Sequence, residues 1–409
     1  MSSQTPPIDK LPVETLTYIL RLATNVPACY TLGGATYYPF HNSDRHENVV
    51  LRNQTTLFPA EINSWTTKLA LPLVCSLWRL LSFEMLYEEI YIGERAHTDT
   101  LLETFEQSEL THPGQGLGRL VRNVVLASVV RDEVLPLVDV LRWCPNVEAL
   151  VKSDDDVTFP PRSDVDLSSI TRFDWSWIRH GDDREIEMEN IKQGLAFYEA
   201  IASRAPNLQY LSIAIRYPAR TVGVFQDLPT VTPSLTALRI QHTESTLRQE
   251  IEDWEFPKLT HIITDSSLVW RSFSSLFGPQ IEVVEFTVDE ALHTAHALGV
   301  IGLCPNLREI NYHVEFAKFP PQPVYNDSLA CVRLHSGRNY MLDSASVWDE
   351  IEAQLQVFAG ASFPALKRII LYGDWDNVVN DSRFSAWGKK LRDRGCIVED
   401  EYGTLYQQP

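Results

Sequence analysis

The sequence predicts an α/β fold in which a small all-α N-terminal region precedes a solenoid of helix–turn–strand units with a parallel sheet. Three observations support this prediction. One motif recurs between residues 119 and 371: a proline followed by aliphatic residues two, five and seven positions later. Its copies are regularly spaced, and apolar residues follow helical spacing between them. Units this short cannot bury an apolar face alone, so neighbouring units must share one core.

The spacing of the repeats is the strongest of these observations. Counted from the proline position, units begin at residues 119, 145, 168, 206, 233, 257, 279, 305, 327 and 364. Seven of the nine intervals (26, 23, 38, 27, 24, 22, 26, 22 and 37) match the period of about 20–29 residues found in leucine-rich repeats. The core-facing sets are Val121/Val124/Leu126, Val147/Leu150, Ile170/Phe173/Trp175, Leu208/Leu211/Ile213, Leu235/Leu238/Ile240, Leu259/Ile262, Ile281/Val284/Phe286, Leu307/Ile310/Tyr312, Leu329/Val332/Leu334 and Leu366/Ile369/Leu371.

Helices are predicted at residues 133–144, 194–204, 291–304 and 347–358, each ending just before a strand motif. Such helices would cover one face of the sheet. The region resembles the degenerate leucine-rich repeats that often follow fungal F-boxes. The alternative is an ordinary α/β domain, which normally uses fewer and longer apolar strands.

The N-terminal region reads as short helices. Residues 11–23 place Leu16, Ile19, Leu20 and Ala23 on one apolar face, with Pro12 suited to the first helical position. Asn25 and Pro27 should end this helix. Residues 28–64 read as an irregular loop, residues 65–81 as helix broken at Pro72, and residues 87–92 as a strand.

Two motifs in this region carry a resemblance. LPxExLxxIL at residues 11–20 resembles the opening of an F-box, and LVCxxWR at residues 73–79 followed by LYE at 86–88 resembles its close. The resemblance implies a three-helix domain over residues 1–92, interrupted by an insertion at about 28–64. Insertions of this sort, and the leucine–tyrosine ending, resemble F-box proteins of mushroom-forming fungi.

An F-box implies a function. It would make the chain a substrate-recognition adaptor of an SCF-type cullin-RING ubiquitin ligase, with a helix and linker at residues 93–118 and the repeats at 119–409. The repeats would bind a client protein of unknown identity through their concave face or loops. A non-ligase interaction scaffold with a vestigial F-box is the alternative. The apolar residues expected to contact the Skp adaptor are Leu11, Pro12, Ile19, Leu20, Val74 and Trp78.

The composition excludes several classes. A formal net charge of −19 without a basic stripe disfavours nucleic-acid binding. We find no secretory signal and no apolar run of about 18 residues, so no membrane partner is expected. Six scattered cysteines indicate reduced thiols and a cytoplasmic or nuclear protein.

Candidate chemical sites are sparse, and no catalytic, cofactor or metal site is predicted. Gly114, Gly116 and Gly118 have the spacing of a nucleotide-binding turn, but a linker is the better interpretation because no strand precedes them. The pair His293/His296 lacks an identifiable set of further metal ligands. His41 and His46 lie near Asp44 and Glu47, where a solvated polar loop is the better interpretation and a weak metal site the alternative. The chain is therefore not expected to be an enzyme.

Three further features concern partners. The acidic runs at 154–156 and 182–187 are expected to be solvated loops, although they could favour a basic partner. Trp177 either continues the core face of its strand or is exposed as a binding anchor. Arginines recur in or beside successive strand units, which hints at a phosphate-binding patch: Arg308, Arg333 and Arg368.

Overall fold

The computed structural model describes residues 11–24, 30–32, 35–37, 66–92, 95–126, 137–152, 165–177, 203–215, 232–241, 255–264, 273–286, 300–314, 324–336, 345–373 and 375–406 of the chain. Its helices are α1 (Val13–Thr24), α2 (Ser76–Tyr87), α3 (Arg95–Thr111), α4 (Leu137–Trp143), α5 (Ala345–Ala359), α6 (Asp376–Val379) and α7 (Ser382–Asp393). Residues 66–70, 273–277 and 300–303 are also helical. Short 3₁₀ turns occupy Leu71–Leu73, Leu117–Leu120 and Gly278–Gln280.

Fourteen strands are described. β1 (Tyr30–Leu32) and β2 (Ala35–Tyr37) form an antiparallel pair. The other twelve form one parallel sheet in strict chain order, which is the architecture of a solenoid. They are β3 (Glu89–Ile92), β4 (Asn123–Leu126), β5 (Ala149–Lys152), β6 (Arg172–Trp177), β7 (Tyr210–Ile215), β8 (Ala237–Gln241), β9 (His261–Thr264), β10 (Val283–Phe286), β11 (Glu309–His313), β12 (Cys331–Ser336), β13 (Arg368–Gly373) and β14 (Ile397–Asp400).

The predicted repeats coincide with strands β4 to β13. The second position of each core-facing set pairs in register with its neighbours, as in Val124↔Leu150 and Ile310↔Val332. These side chains are buried in a single core that runs from Ile90 to Val398. The alternation of strand side chains turns the intervening residues to the opposite side, which we call the non-core face. The solenoid and its parallel sheet are therefore confirmed.

The turn before each strand ties neighbouring units together. In the Pro-Asn turns, the asparagine amide donates to a backbone carbonyl of the preceding unit, as Asn306 does to Pro279 at 2.7 Å. Asn146, Asn207 and Gln280 make the same kind of bond at 2.8–2.9 Å. The structure shows a ladder before the strand.

Loss of one of these hydrogen bonds should lower the stability of the fold by a small, measurable amount. We expect Asn306→Ala to lower the free energy of unfolding by about 0.5–1.5 kcal/mol, the net contribution of one hydrogen bond. Lys258→Ala is the matched control, because Lys258 occupies the same turn position and its side chain is exposed. Urea denaturation of both variants tests this expectation, and equal losses would contradict it.

The structure corrects one local prediction and extends another. Residues 30–37 contain paired strands, whereas we predicted an irregular loop; Gly33-Gly34 between alternating residues was the available hairpin signal. The sheet also has a strand before and a strand after the ten predicted units. Pro72 breaks the helical run as predicted, since Leu71–Leu73 form a 3₁₀ turn between residues 66–70 and α2.

The C-terminal edge of the sheet is covered by the chain itself. Residues 400–406 fold back on β14, where the Tyr406 amide donates to the Val398 carbonyl and the Asp400 amide to Thr404. Backbone groups at this edge are thereby satisfied, which blocks the addition of a further strand there.

Candidate protein-binding surface

The N-terminal helices form a small packed unit of their own. Leu16 and Leu20 of α1 pack with Leu71 and Met85 in a buried cluster. Cys75 caps α2, its sulfur accepting the Trp78 amide at 3.5 Å. This capping explains locally why α2 begins after the Val-Cys pair.

The same helices expose an unusual amount of apolar surface. Of the seventeen large apolar side chains that are exposed in the described part of the chain, ten lie between residues 13 and 83. A concentration of this kind marks an interaction surface, whereas isolated exposed apolar residues are normal. The ten are Val13, Tyr18, Ile19, Leu22, Leu69, Leu73, Val74, Leu77, Leu80 and Phe83.

Both helices are apolar on the side away from their core. At 100° per residue, Tyr18 lies on the side of α1 opposite Leu16 and Leu20. Leu80 similarly lies opposite the buried Ser82 of α2. A surface helix normally carries polar residues there. Both helices therefore expose apolar side chains opposite their buried side.

An ion pair joins the two helices. Arg21 of α1 contacts Glu84 of α2 at 2.9 Å and Glu88 at 3.8 Å. Tyr18 and Leu80 each lie one helical turn from this ion pair. The ion pair therefore joins α1 to α2 next to these exposed apolar residues. We call the ten exposed apolar residues together the N-terminal apolar surface.

The predicted contact residues divide between surface and core. Pro12, Ile19 and Val74 are exposed. Leu11 is half-buried, and Trp78 is half-buried against the helical core. Leu20 is buried within that core. Their role in adaptor binding stays a prediction, but Leu20 in this conformation serves packing.

Sequence reasoning missed several exposed members of this surface. Tyr18, Leu22, Leu77 and Leu80 belong to no motif position that we singled out. The available signal was the number of apolar residues on α1 and α2, which exceeds what one buried stripe of a helix can use. Motif matching favoured residues such as Leu20 that turn out to form the core.

The helices pack directly against the sheet. Tyr87 at the end of α2 lies 6.5 Å, centroid to centroid, from Phe105 of α3, and both join the main core. Lys68 pairs with Glu89 of β3 at 3.5 Å. The predicted boundaries at residues 92 and 118 stay predictions, but the sheet itself begins at Glu89.

The non-core face is polar and largely closed to solvent between β6 and β12. It contains an Arg172–Asp174 ion pair at 3.0 Å, with the Arg172 guanidinium 4.7 Å from the Tyr210 ring centroid. The buried polar side chains on this face include Arg172, Asp174, Ser212, Arg239, His261, Glu285, Asn311, His313 and His335. Along these strands, the described polar side chains of this face are mostly shielded from solvent.

A second ion pair organises this face near β11 and β12. Arg333 makes two hydrogen bonds to Glu309, at 2.8 and 3.2 Å, and a third to the Tyr372 hydroxyl at 2.8 Å. Burial alone would raise the Glu309 pKa, but the charge and hydrogen bonds of Arg333 outweigh it and hold that pKa below its usual range.

The three arginines do not form a phosphate-binding patch in this conformation. Each contacts a carboxylate from an adjacent strand or turn: Arg308 with Glu282, Arg333 with Glu309, and Arg368 with Glu399. A phosphate would have to displace these carboxylates. The structure therefore favours a role for these arginines in joining repeats.

The Gly114–Gly118 segment is a helix-capping turn. The Glu109 carboxylate accepts the amides of Gly114 and Gly116 at 2.7 and 3.0 Å, and the Gly114 bond in particular lowers its pKa. This carboxylate occupies the place where a phosphate would have to bind. A Cβ on Gly118 would meet the Trp143 carbonyl at 2.3 Å, so close packing explains that glycine.

Several predicted features lie outside the described residues: His41, His46, His293, His296, both acidic runs and the side chain of Trp177. Within the described residues, no group of three or more His, Cys, Asp or Glu side chains is placed to hold a metal ion. No helix in that part of the chain combines the length and apolar character needed to cross a bilayer.

No protein-family model matches the chain, and no curated protein matches its sequence. Among solved structures, it resembles the leucine-rich repeat-containing protein LegL7 from Legionella pneumophila, with 11% identity and a TM-score of 0.38. That likeness covers 78% of this chain and 92% of LegL7. It also resembles the TLR13–ssRNA13 complex, with 10% identity and a TM-score of 0.33, covering 77% of this chain. The chain spans only 36% of the TLR13 chain.

Proposed function

We propose that this protein is a substrate-recognition adaptor of an SCF-type ubiquitin ligase. Its N-terminal helices would bind the Skp adaptor, and its repeats would bind a client protein. The observation that carries the proposal is the N-terminal apolar surface, which coincides with the region that resembles an F-box.

Function of this kind needs no reactive group on the chain. An adaptor raises the effective concentration of a client lysine near the ubiquitin-carrying enzyme. The contacts of Tyr87 with Phe105 and of Lys68 with Glu89 support this role, because they would hold the helices at a fixed position relative to the repeats. A client on the repeats would then be presented in a defined orientation.

Co-expression with the Skp adaptor tests the proposal. We expect the wild-type chain to co-elute with the adaptor on a size-exclusion column, and Ile19→Ser/Val74→Ser to lose co-elution. Both residues are exposed, so the double variant should keep the wild-type circular dichroism spectrum. Leu110→Ser is the matched control, because Leu110 is 70% exposed but lies on α3, outside the N-terminal apolar surface.

The outcomes separate two functions. If the folded wild-type chain does not bind the adaptor at micromolar concentration, the ligase proposal is wrong and an interaction scaffold with a vestigial F-box is the better description. If the wild type and both variants bind equally, the adaptor binds elsewhere on the chain.

A further inference from the structure

Three histidines lie on the non-core face of adjacent strands. His261 of β9, His313 of β11 and His335 of β12 are each less than 5% exposed. His313 and His335 are paired in register, and their ring centroids are 4.3 Å apart. A charge on one of these two rings would oppose a charge on the other, since like charges this close repel strongly when buried.

Charged side chains share this face with the histidines. Arg239 and Arg333 supply two positive charges between β8 and β12, and Glu285 and Glu309 supply two negative charges. A protonated imidazole there would be a charge held out of solvent, and burial disfavours such a charge. Besides the three histidines, the titratable and charged groups that share this face on strands β8 to β13 in the described part of the chain are Arg239, Glu285, Glu309, Cys331, Arg333, Arg368 and Tyr372.

We infer that strands β9 to β12 form an acid-sensitive element, which opens locally when its buried histidines take up protons. The opening would give solvent access to the charged side chains that are closed off at neutral pH. This inference concerns the repeats and does not depend on adaptor binding.

The direction of the effect follows from proton linkage. Burial lowers the pKa of His261 from 6.5 to about 4, with Glu309 partly offsetting and Arg333 adding to the shift. An exposed histidine keeps a pKa of about 6.5, so the open state binds protons more tightly than the closed state below that pH. For one histidine whose pKa is lowered in this way, the equilibrium constant that favours the closed state has its full value above pH 6.5. It falls by up to about tenfold per pH unit as the pH drops toward 4.

Hydrogen exchange of the full chain at pH 7.5 and pH 5.5 tests the inference, with rates corrected for the intrinsic pH dependence of exchange. We expect protection of β9–β12 amides to fall by at least about tenfold, and protection in β4 and β5 by less than about threefold. β4 and β5 contain no histidine. Glu309 contributes little in this window, because its pKa lies below its usual value.

The variant His261→Gln should reduce the pH dependence in β9–β12 and leave that of β4 and β5 unchanged. An equal loss of protection in all strands of the wild type would overturn the inference. So would an unchanged pH dependence in folded His261→Gln. If this variant does not fold, the comparison between wild-type strands still decides the question.

Discussion

Glu309→Gln should lower the free energy of unfolding by about 3–5 kcal/mol, the range observed when one member of a buried ion pair is removed. The side chains of Glu309 and Arg333 are only 14% and 13% exposed. The substitution leaves the Arg333 charge in a poorly solvated position with an uncharged neighbour. Asn311, which donates to Glu309 at 3.1 Å, would also face a weaker acceptor. Urea denaturation at pH 7.5 measures the loss.

The turns that precede β10 and β11 supply the control. Glu282 and Arg308 form an ion pair at 3.7 Å, but their side chains are 40% and 70% exposed. Glu282→Gln should therefore change stability by less than about 1 kcal/mol, as is usual for surface ion pairs. Similar losses in the two variants would show that the Glu309–Arg333 pair is not effectively buried. Replacing both of its members by apolar residues should recover part of the loss.

Sequence alone predicted the solenoid well because the repeat signal is redundant. A set such as Leu307, Ile310 and Tyr312 recurs at nearly constant spacing, and each copy supports the others. The end strands β3 and β14 were harder to recognise as repeat units. β3 falls within the segment that resembles an F-box, and β14 lacks the proline motif, with Cys396 and Val398 at the buried positions.

The non-core face was not predictable to the same extent. Strand periodicity places Glu309 and Arg333 on that face, but it does not reveal that they are buried or that they contact each other across β11 and β12. Those facts depend on strand register and on the rest of the chain. The same limit applies to Arg308 and Arg368. Their spacing suggested a phosphate-binding patch, but the alignment of neighbouring repeats places a carboxylate next to each of them.

At the N-terminal helices, motif resemblance and burial lead to different expectations for two neighbouring residues. Leu20 is 1% exposed in the helical core, whereas Ile19 is 39% exposed. Leu20→Ala should destabilise these helices by about 2–5 kcal/mol, the cost of removing a buried leucine side chain. Ile19→Ala should cost less than about 1 kcal/mol, because a surface substitution removes few contacts.

Hydrogen exchange of the α1 and α2 amides measures both effects, and co-elution with the Skp adaptor provides the functional comparison. We expect Leu20→Ala to speed exchange throughout α1 and α2 and to weaken adaptor binding only as far as the helices unfold. Ile19→Ala should leave exchange unchanged and weaken binding directly. The reverse result, with slow exchange in Leu20→Ala and fast exchange in Ile19→Ala, would mean that α1 packs through a different face. The N-terminal apolar surface would then have to be redrawn, because the residues now assigned to the surface would belong to the core.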